Sequence, residues 1–471
     1  MPTECNPELF DFGSVEGRRV VAGFDGGRVT SDAGALLLGA ADQAIGLIER
    51  FAACFSDGRS ATDVEHSVAT LVGQRVFGIA LGYEDLIDHD QLRHDPVLAT
   101  LAGKLAARRS RCAPLAGKST LNRLEHGAAA ASRYHKIGHD GDAISRLFVD
   151  VFLDAHRRPP KQIVLDLDAT DDPLHGHQEG RFFHGYYDCY CYLPLYVFCG
   201  RHLLAARLRR ANIDASAGAG EEVVRIIGQI RRRWPRVRVL LRADSAFARE
   251  ALMAWCEANR VDFVFGLARN GRLIKAIEAE MAEAAAECRA TGRPARRFGD
   301  FLWSTLDSWS HRRRVIGKAE ALPPGDNPRF IVTSLTPVEA DARTLYEQVY
   351  CARGEMENRL KECQLDLGAC PRAGRRPDPW ADRTSTRTMR ANQLRLWFAS
   401  MAYVLICALR RIGLAHPRFA QATCGTIRLQ LLKIGALVRI SVRRVKVAMA
   451  SAFPHQHEFA LAHALLGNAG R

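Results

Sequence analysis

Ten residues constrain this chain more than any others: Ile163 to Asp172, I-V-L-D-L-D-A-T-D-D. Ile163, Leu165 and Leu167 alternate with Val164, Asp166 and Asp168. That period of two is a strand, and it puts both aspartates on one face. A carboxylate inside a core strand costs free energy unless something compensates it. A bound divalent cation is one such compensation. The plainer alternative is a strand end where aspartates open a turn, and Asp171-Asp172-Pro173 has the composition of a turn.

Length and composition narrow the class. A chain of 471 residues is long enough for two or three domains. At 47% hydrophobic and 25% charged it is globular rather than disordered. The net charge is +14, from 66 Lys and Arg against 52 Asp and Glu. Arginines cluster at 231–233, 312–314 and 443–444, which leans toward phosphate recognition, although a basic balance also serves solubility.

The 13 cysteines include no C-x-x-C pair. Cys189 and Cys191 face one side of an expected strand, without the further ligands that a zinc site needs. The expectation is reduced, core cysteines in a cytoplasmic protein, with no signal peptide at the N-terminus. The longest apolar run, Leu396 to Leu409, has 14 residues, which suits a buried helix better than a membrane span.

Along the chain, residues 1–160 read as a mainly helical N-terminal domain. Ser31 or Asp32 is a candidate cap for a helix starting at Ala33. Asp88, His89, Asp90, His94 and Asp95 cluster, and a solvated helix-turn is preferred to a metal site there. Gly117-Lys118-Ser119-Thr120 looks like the end of a phosphate-binding loop. Cys112 stands where that motif needs glycine, so the motif is rejected.

From 161 the pattern turns to strands. Ile163–Asp168 is the first, and 186–199 and 202–208 form a meander with it. A helix (221–233), a strand ending in Asp244 (237–244), a helix (250–259) and a strand (261–267) follow. Residues 269–327 interrupt the alternation as a strand-rich insertion with Trp303 and Trp309. A strand at 330–335 and a long helix at 338–364 come next. Residues 368–379 are rich in Pro, Gly and Arg and read as a loop. A strong helix covers 385–411, and 412–471 is expected to be helical, with a basic amphipathic piece at 426–446.

Three acidic points stand out: Asp168, Asp244 and a glutamate on the late helix. Tyr346, Tyr350, Arg353 and Glu357 are spaced four, three and four apart, which places them on one helix face. The usual role of such a face is simply to be solvated. Here, however, the order of elements resembles the ribonuclease H-like catalytic core. Tyr350-x-x-Arg353-x-x-x-Glu357 resembles the Y-R-E-K signature of bacterial insertion-sequence transposases of the DDE class. The stretches 165–187, 241–247 and 425–444 are similar to that group as well. Two departures stand against it. Gln364 occupies the position of the signature lysine, for which Lys361, one turn after Glu357, is the substitute candidate. Residues 368–380 also look like added sequence.

The resemblance implies an α/β fold: a ribonuclease H-like mixed sheet with helices, a strand-rich insertion before the last catalytic helix, and helical terminal regions. Its core is expected at 161–268 and 328–411, with the insertion at 269–327 and the N-terminal 1–160 domain binding DNA ends. Asp168, Asp244 and Glu357 would be the catalytic carboxylates, holding two Mg2+ ions, for which Mn2+ can substitute. Asp168 is preferred to Asp166 because Asp168-Ala169-Thr170 is similar to the family's D-x-T pattern. Tyr350, Arg353 and Lys361 are expected to hold DNA, and Trp303 or Trp309 is a candidate to stack a flipped base, against the plainer role of filling a core. His175, His177 and His184 lie near the first aspartate without an assigned role. The implied activity is cut-and-paste transposition by a homodimer acting on terminal inverted repeats and target DNA, with no membrane partner. The rivals are a ribonuclease H-like nuclease without strand transfer and an inactivated DNA-binding relative.

Overall fold

The computed structural model describes residues 10–127, 135–363, 384–415 and 417–469. They divide into two compact units. One comprises Asp140–Ser400, and the other joins Met1–His139 to Met401–Arg471.

The first unit is built on a nine-stranded sheet. Its first five strands are β1 (Gln162–Ala169), β2 (Leu195–Cys199), β3 (His202–Arg207), β4 (Arg238–Ala243) and β5 (Asp262–Leu267). β6 (Ala295–Trp303), β7 (Arg313–Leu322) and β8 (Arg329–Thr333) complete the main path, in the order β3-β2-β1-β4-β5-β8-β7-β6. The pair Gly325–Asp326 adds to the end of β7. β1, β2 and β3 pair antiparallel as a meander, and β4 and β5 run parallel to β1. The order 3-2-1-4-5 with those directions is the ribonuclease H-like arrangement.

The alternation in β1 sorts its side chains between two cores. Ile163, Leu165 and Leu167 are buried on one face. They pack with Val149 and Phe152 of α1 (Gly141–Asp154) and with Val223, Ile226, Ile227 and Ile230 of α2 (Ala219–Arg233). The apolar positions of α2 recur at helical spacing, with Glu221 and Glu222 in its first turn and Arg231–Arg233 in its last, as the helix dipole favours. Truncating Leu165 to alanine would cost about 2–5 kcal/mol. On the opposite face Val164, Leu240 of β4, Val264 of β5 and Ile331 of β8 meet Leu345 and Tyr346. Asp166 and Asp168 share the Val164 face, so the strand's period turns both toward the late helical segment.

Residues 269–327 do not form a separate body. β6 and β7 extend the core sheet through β8, and α4 (Glu278–Thr291), which follows α3 (Glu250–Ala258), packs on β6 and β7. The expected strand at 186–199 is also divided. Cys189–Tyr192 joins a small sheet with Phe182–His184 and Asp172–Pro173, and only Leu195–Cys199 enters the large one. The expected 1–160 domain stops short as well. α1 belongs to the core unit, where Arg225 and Gln229 of α2 donate to the Ser145 and Arg146 carbonyls.

The second unit carries short helices, among them Val68–Ala80, capped by the Ser67 side chain, and Pro96–Leu101, capped by Asp95. Asp32 makes no side-chain cap. Its carboxylate instead lies 2.6 Å from the Lys433 ammonium and accepts from the Tyr83 hydroxyl at 2.7 Å. His89 is a core histidine, fully buried, with its Nδ1 3.0 Å from the Gln74 amide nitrogen. The expected amphipathic helix at 426–446 is a helical segment (Cys424–Leu432) followed by the strands Ala436–Ile440 and Val445–Met449. Val29–Thr30 pairs with the first of these strands. Alternating Val and Ile residues with the turn at Ser441–Arg444 favour the hairpin.

Among the described residues one helix, α6 (Met389–Ile412), after α5 (Gly354–Lys361), is long and apolar enough to cross a membrane, and most of its apolar window is buried inside the protein. Residues 368–380 and Gln364 lie outside the described residues.

Candidate active site

Two parallel strands in register build the floor of the site. Arg242 of β4 stands beside Asp166 of β1. Two residues further on, the same register carries Asp244 to the level of Asp168. The segments D-L-D and R-A-D therefore lie side by side, and their equivalent positions have different fates.

Asp166 is an internal ion pair. Arg242 holds both its oxygens, Nε to Oδ1 at 2.6 Å and Nη2 to Oδ2 at 2.8 Å. The remaining Nη1 donates to the Val349 carbonyl at 2.6 Å, which fastens the late helical segment to the sheet. A bidentate, buried pair of this kind leaves no oxygen for a ligand.

Asp168, at the end of β1, has a different setting. Arg353 reaches it from the late helix, with Nη2 2.7 Å from Oδ1, and Nη1 of the same guanidinium lies 3.9 Å from Glu357 Oε1. Arg353 Nε is buried with no hydrogen-bond partner among the described residues. Burial pushes the Asp168 carboxyl up to about 7. Arg353 opposes the rise, while the negative charges of Asp244 and Glu357 add to it. Asp168, Asp244 and Glu357 are thus close enough to repel one another, with one guanidinium among them.

Asp244 ends β4 and opens the turn Ser245–Phe247, accepting from the Ala246 amide at 2.9 Å. Glu357 sits on α5 with its side chain 58% exposed. Its neighbour Glu355 turns elsewhere and pairs with Arg359 at 2.7 Å.

The helical segment bearing these residues is irregular. A π turn covers Leu345–Tyr350 and a 3-10 turn covers Cys351–Arg353 before α5 begins. Such turns are frequent at functional sites because they re-aim side chains. Here Tyr346 reaches the core, with its ring centroid 5.8 Å from that of Phe298, and stays beside Tyr350 at 5.6 Å between ring centroids. Tyr350 packs over β5. A Cβ at Gly266 would stand 2.6 Å from the Tyr350 hydroxyl and 2.9 Å from the Ser245 amide nitrogen, so only glycine leaves that space.

Sequence reasoning missed Gly266, and it missed Tyr187 too. The Tyr187 hydroxyl donates to the Ala169 carbonyl at 3.4 Å. Burial pushes its pKa up, with Asp171, Asp168 and Asp244 adding to the rise. The signal for Arg242 was present: an arginine in the middle of an apolar strand, offset from Asp244 as Asp166 is from Asp168.

Other expected site residues have plainer places. Trp303 is not a free stacking platform. It is 9% exposed, lies edge-on to Trp309 at 5.3 Å between centroids, and belongs to the main core. Burial of its ring faces is the physical reason for this correction. Lys361 closes α5, half-buried. His175 and His177 are exposed, with His177 Nδ1 3.0 Å from Arg181, and His184 packs on Tyr187.

The donor set suits a hard divalent ion: carboxylate oxygens with excess negative charge and one cation among them. As the side chains stand, no group of three or more His, Cys, Asp or Glu residues among those described is placed to hold a metal ion.

The family model for transposase DDE domain group 1 matches residues 12–470. A comparison with curated proteins found no match. Among solved structures, a cryo-EM structure of the piggyBac transposase synaptic complex with hairpin DNA is a distant likeness. It shares 11% identity over 86% of this chain and 80% of that one, at a TM-score of 0.39. With acidic strand ends on a ribonuclease H-like sheet and a family match over nearly its whole length, the chain belongs to the DDE transposases of domain group 1.

Proposed function

We propose that this chain is a bacterial insertion-sequence transposase of the Y-R-E-K group, acting by cut-and-paste. The observation that carries the reading is the gathering of Asp168, Asp244 and Glu357 around the Arg353 guanidinium. Asp168, Asp244 and Glu357 are the residues that would hold two Mg2+ ions, with Mn2+ as a substitute. When bound, such ions activate the attacking oxygen and stabilise the leaving oxygen of a phosphodiester.

The chain's own residues do the rest. Asp166 and Arg242 fix the strand ends and the late helix to each other. Tyr350, wedged over Gly266, sets the height of that helix above Asp244. Arg353 is placed to exchange a carboxylate for a DNA phosphate, because its guanidinium suits either anion. Lys361, one turn beyond Glu357, adds a second backbone contact. The DNA substrates are terminal inverted repeats and target DNA, engaged by a homodimer in the cytoplasm.

The test uses a duplex ending in the element's own terminal sequence, with Mg2+ and then with EDTA. Nicking and joining to a target plasmid are expected with Mg2+ alone. Nicking without joining would identify a nuclease instead. Binding without either would identify a repurposed DNA-binding relative.

A further inference from the structure

A cavity of about 330 Å³ lies in the second unit. It is lined by Arg59, Ser60 and Asp63, by Thr120 and Arg123 of the helix Lys118–Glu125, and by His135 and Lys136. Ile137, also in the lining, opens the short strand Ile137–His139, which pairs with Phe55–Asp57 and is extended by the Gly58 amide donating to the Lys136 carbonyl at 2.7 Å.

The charges around this cavity are unbalanced. Its acidic neighbours are already occupied. Asp57 holds Arg59 through two hydrogen bonds of 2.8 Å, Asp63 lies 3.6 Å from Arg109, and Glu125 is buried against Arg75 at 2.7 Å. Arg123 and Lys136 are exposed and make no ion pair among the described residues. Two uncompensated cations from different elements thus face one recess, with the hydroxyls of Ser60 and Thr120 beside them. Arg59 is held rigid, because its guanidinium also donates to the His66 carbonyl at 3.0 Å.

We propose that this recess is a phosphate site of the second unit, and that it grips the sugar-phosphate backbone of duplex DNA. The shared chemistry is a phosphate oxygen accepting from Arg123, Lys136 and the two hydroxyls. A free phosphate could offer the same contacts, but a chain with a net charge of +14 and a DNA substrate favours the backbone. The inference rests on the reading of the protein as a DNA transposase. It adds a contact that holds the DNA without reading its sequence.

The test is filter binding by the full chain to two duplexes of equal length, one with the element's terminal sequence and one scrambled, across a salt series. Wild type, R123E/K136E and a control reversal of two exposed arginines elsewhere, R289E/R293E, are compared. Thermal melting confirms that each is folded. If wild type binds neither duplex, the transposase reading fails first, and the site falls with it. If wild type binds, R123E/K136E should lose about tenfold in affinity for both duplexes, and its salt slope should shrink by about two units. The control should stay close to wild type. Equal losses in the control, or an unchanged R123E/K136E, would overturn the proposal. So would binding of inorganic phosphate that is lost in R123E/K136E while DNA affinity is kept, because the pocket would then serve a free anion. The milder R123A/K136A pair, expected to lose less in the same direction, serves if the reversal does not fold.

Discussion

The middle of β1 and its end carry the same residue, two positions apart, on the same face and each opposite an arginine. At the middle, Arg242 comes from the neighbouring strand and satisfies both oxygens of Asp166. At the end, Arg353 comes from a helix, bonds one oxygen of Asp168, and leaves its own Nε without a partner among the described residues. Asp244 and Glu357 crowd the second aspartate. A strand-to-strand pair is set by backbone register and cannot easily rearrange. A helix-to-strand pair in a partly open recess can exchange its partner. The first arrangement builds the fold, and the second leaves a charge that another cation can neutralise.

The largest expected difference is in chemistry. Glu357→Gln keeps the side-chain shape and removes the charge. Ion-assisted charge stabilisation is worth several kcal/mol, so Mg2+-dependent cleavage should fall on the order of 10³-fold, with end binding nearly unchanged. Glu355→Gln should cut normally. If Glu355→Gln is the inactive one, the third carboxylate is misplaced.

Next in size is stability at the middle of the strand. Asp166→Ala strands the buried Arg242 guanidinium, which should cost about 3–5 kcal/mol in denaturant unfolding. The same substitution at Asp168 should cost clearly less, because Glu357 and Asp244 remain near Arg353 to offset its charge. Equal costs would erase the contrast between the two pairs.

A smaller effect distinguishes them by pH. Burial raises the folded pKa of Asp168 above its unfolded value. Its contribution is therefore fully present below about 3.8 and is lost as the pH rises through about 7. With chelator present, wild type should lose stability across that window, and Asp168→Asn should lose less. Identical pH profiles for the two proteins would contradict the raised value.

Much of this was legible beforehand. A period of two placed Asp166 and Asp168 on one face, and the order of elements pointed to the sheet that formed. Periodicity could not choose between the aspartates, because the choice is made by arginines 76 and 185 residues away in sequence. The D-x-T pattern preferred the aspartate that the structure leaves open. Helical spacing put Tyr346 beside Tyr350, where its ring does lie, 5.6 Å away between centroids, but it could not show that the same ring enters the core against Phe298. The aromatic strands of 269–327 suggested a separate body, yet edge strands pair with whatever sheet edge is available, and β8 offered one. Trp303 followed them into the main core. The basic segment at 426–446 carried both helical and strand patterns, and pairing with Val29–Thr30 settled it as a hairpin.

The most direct measurement is Mn2+ binding to the DNA-free protein, followed by electron paramagnetic resonance at neutral pH. Four single variants are compared with wild type: Asp166→Asn, Asp168→Asn, Asp244→Asn and Glu357→Gln. Wild type and Asp166→Asn should bind the ion alike, while the other three should each bind it at least about tenfold more weakly. If Asp166→Asn loses binding while Asp168→Asn keeps it, the ligand is the aspartate assigned here to the fold, and the account of the site is wrong.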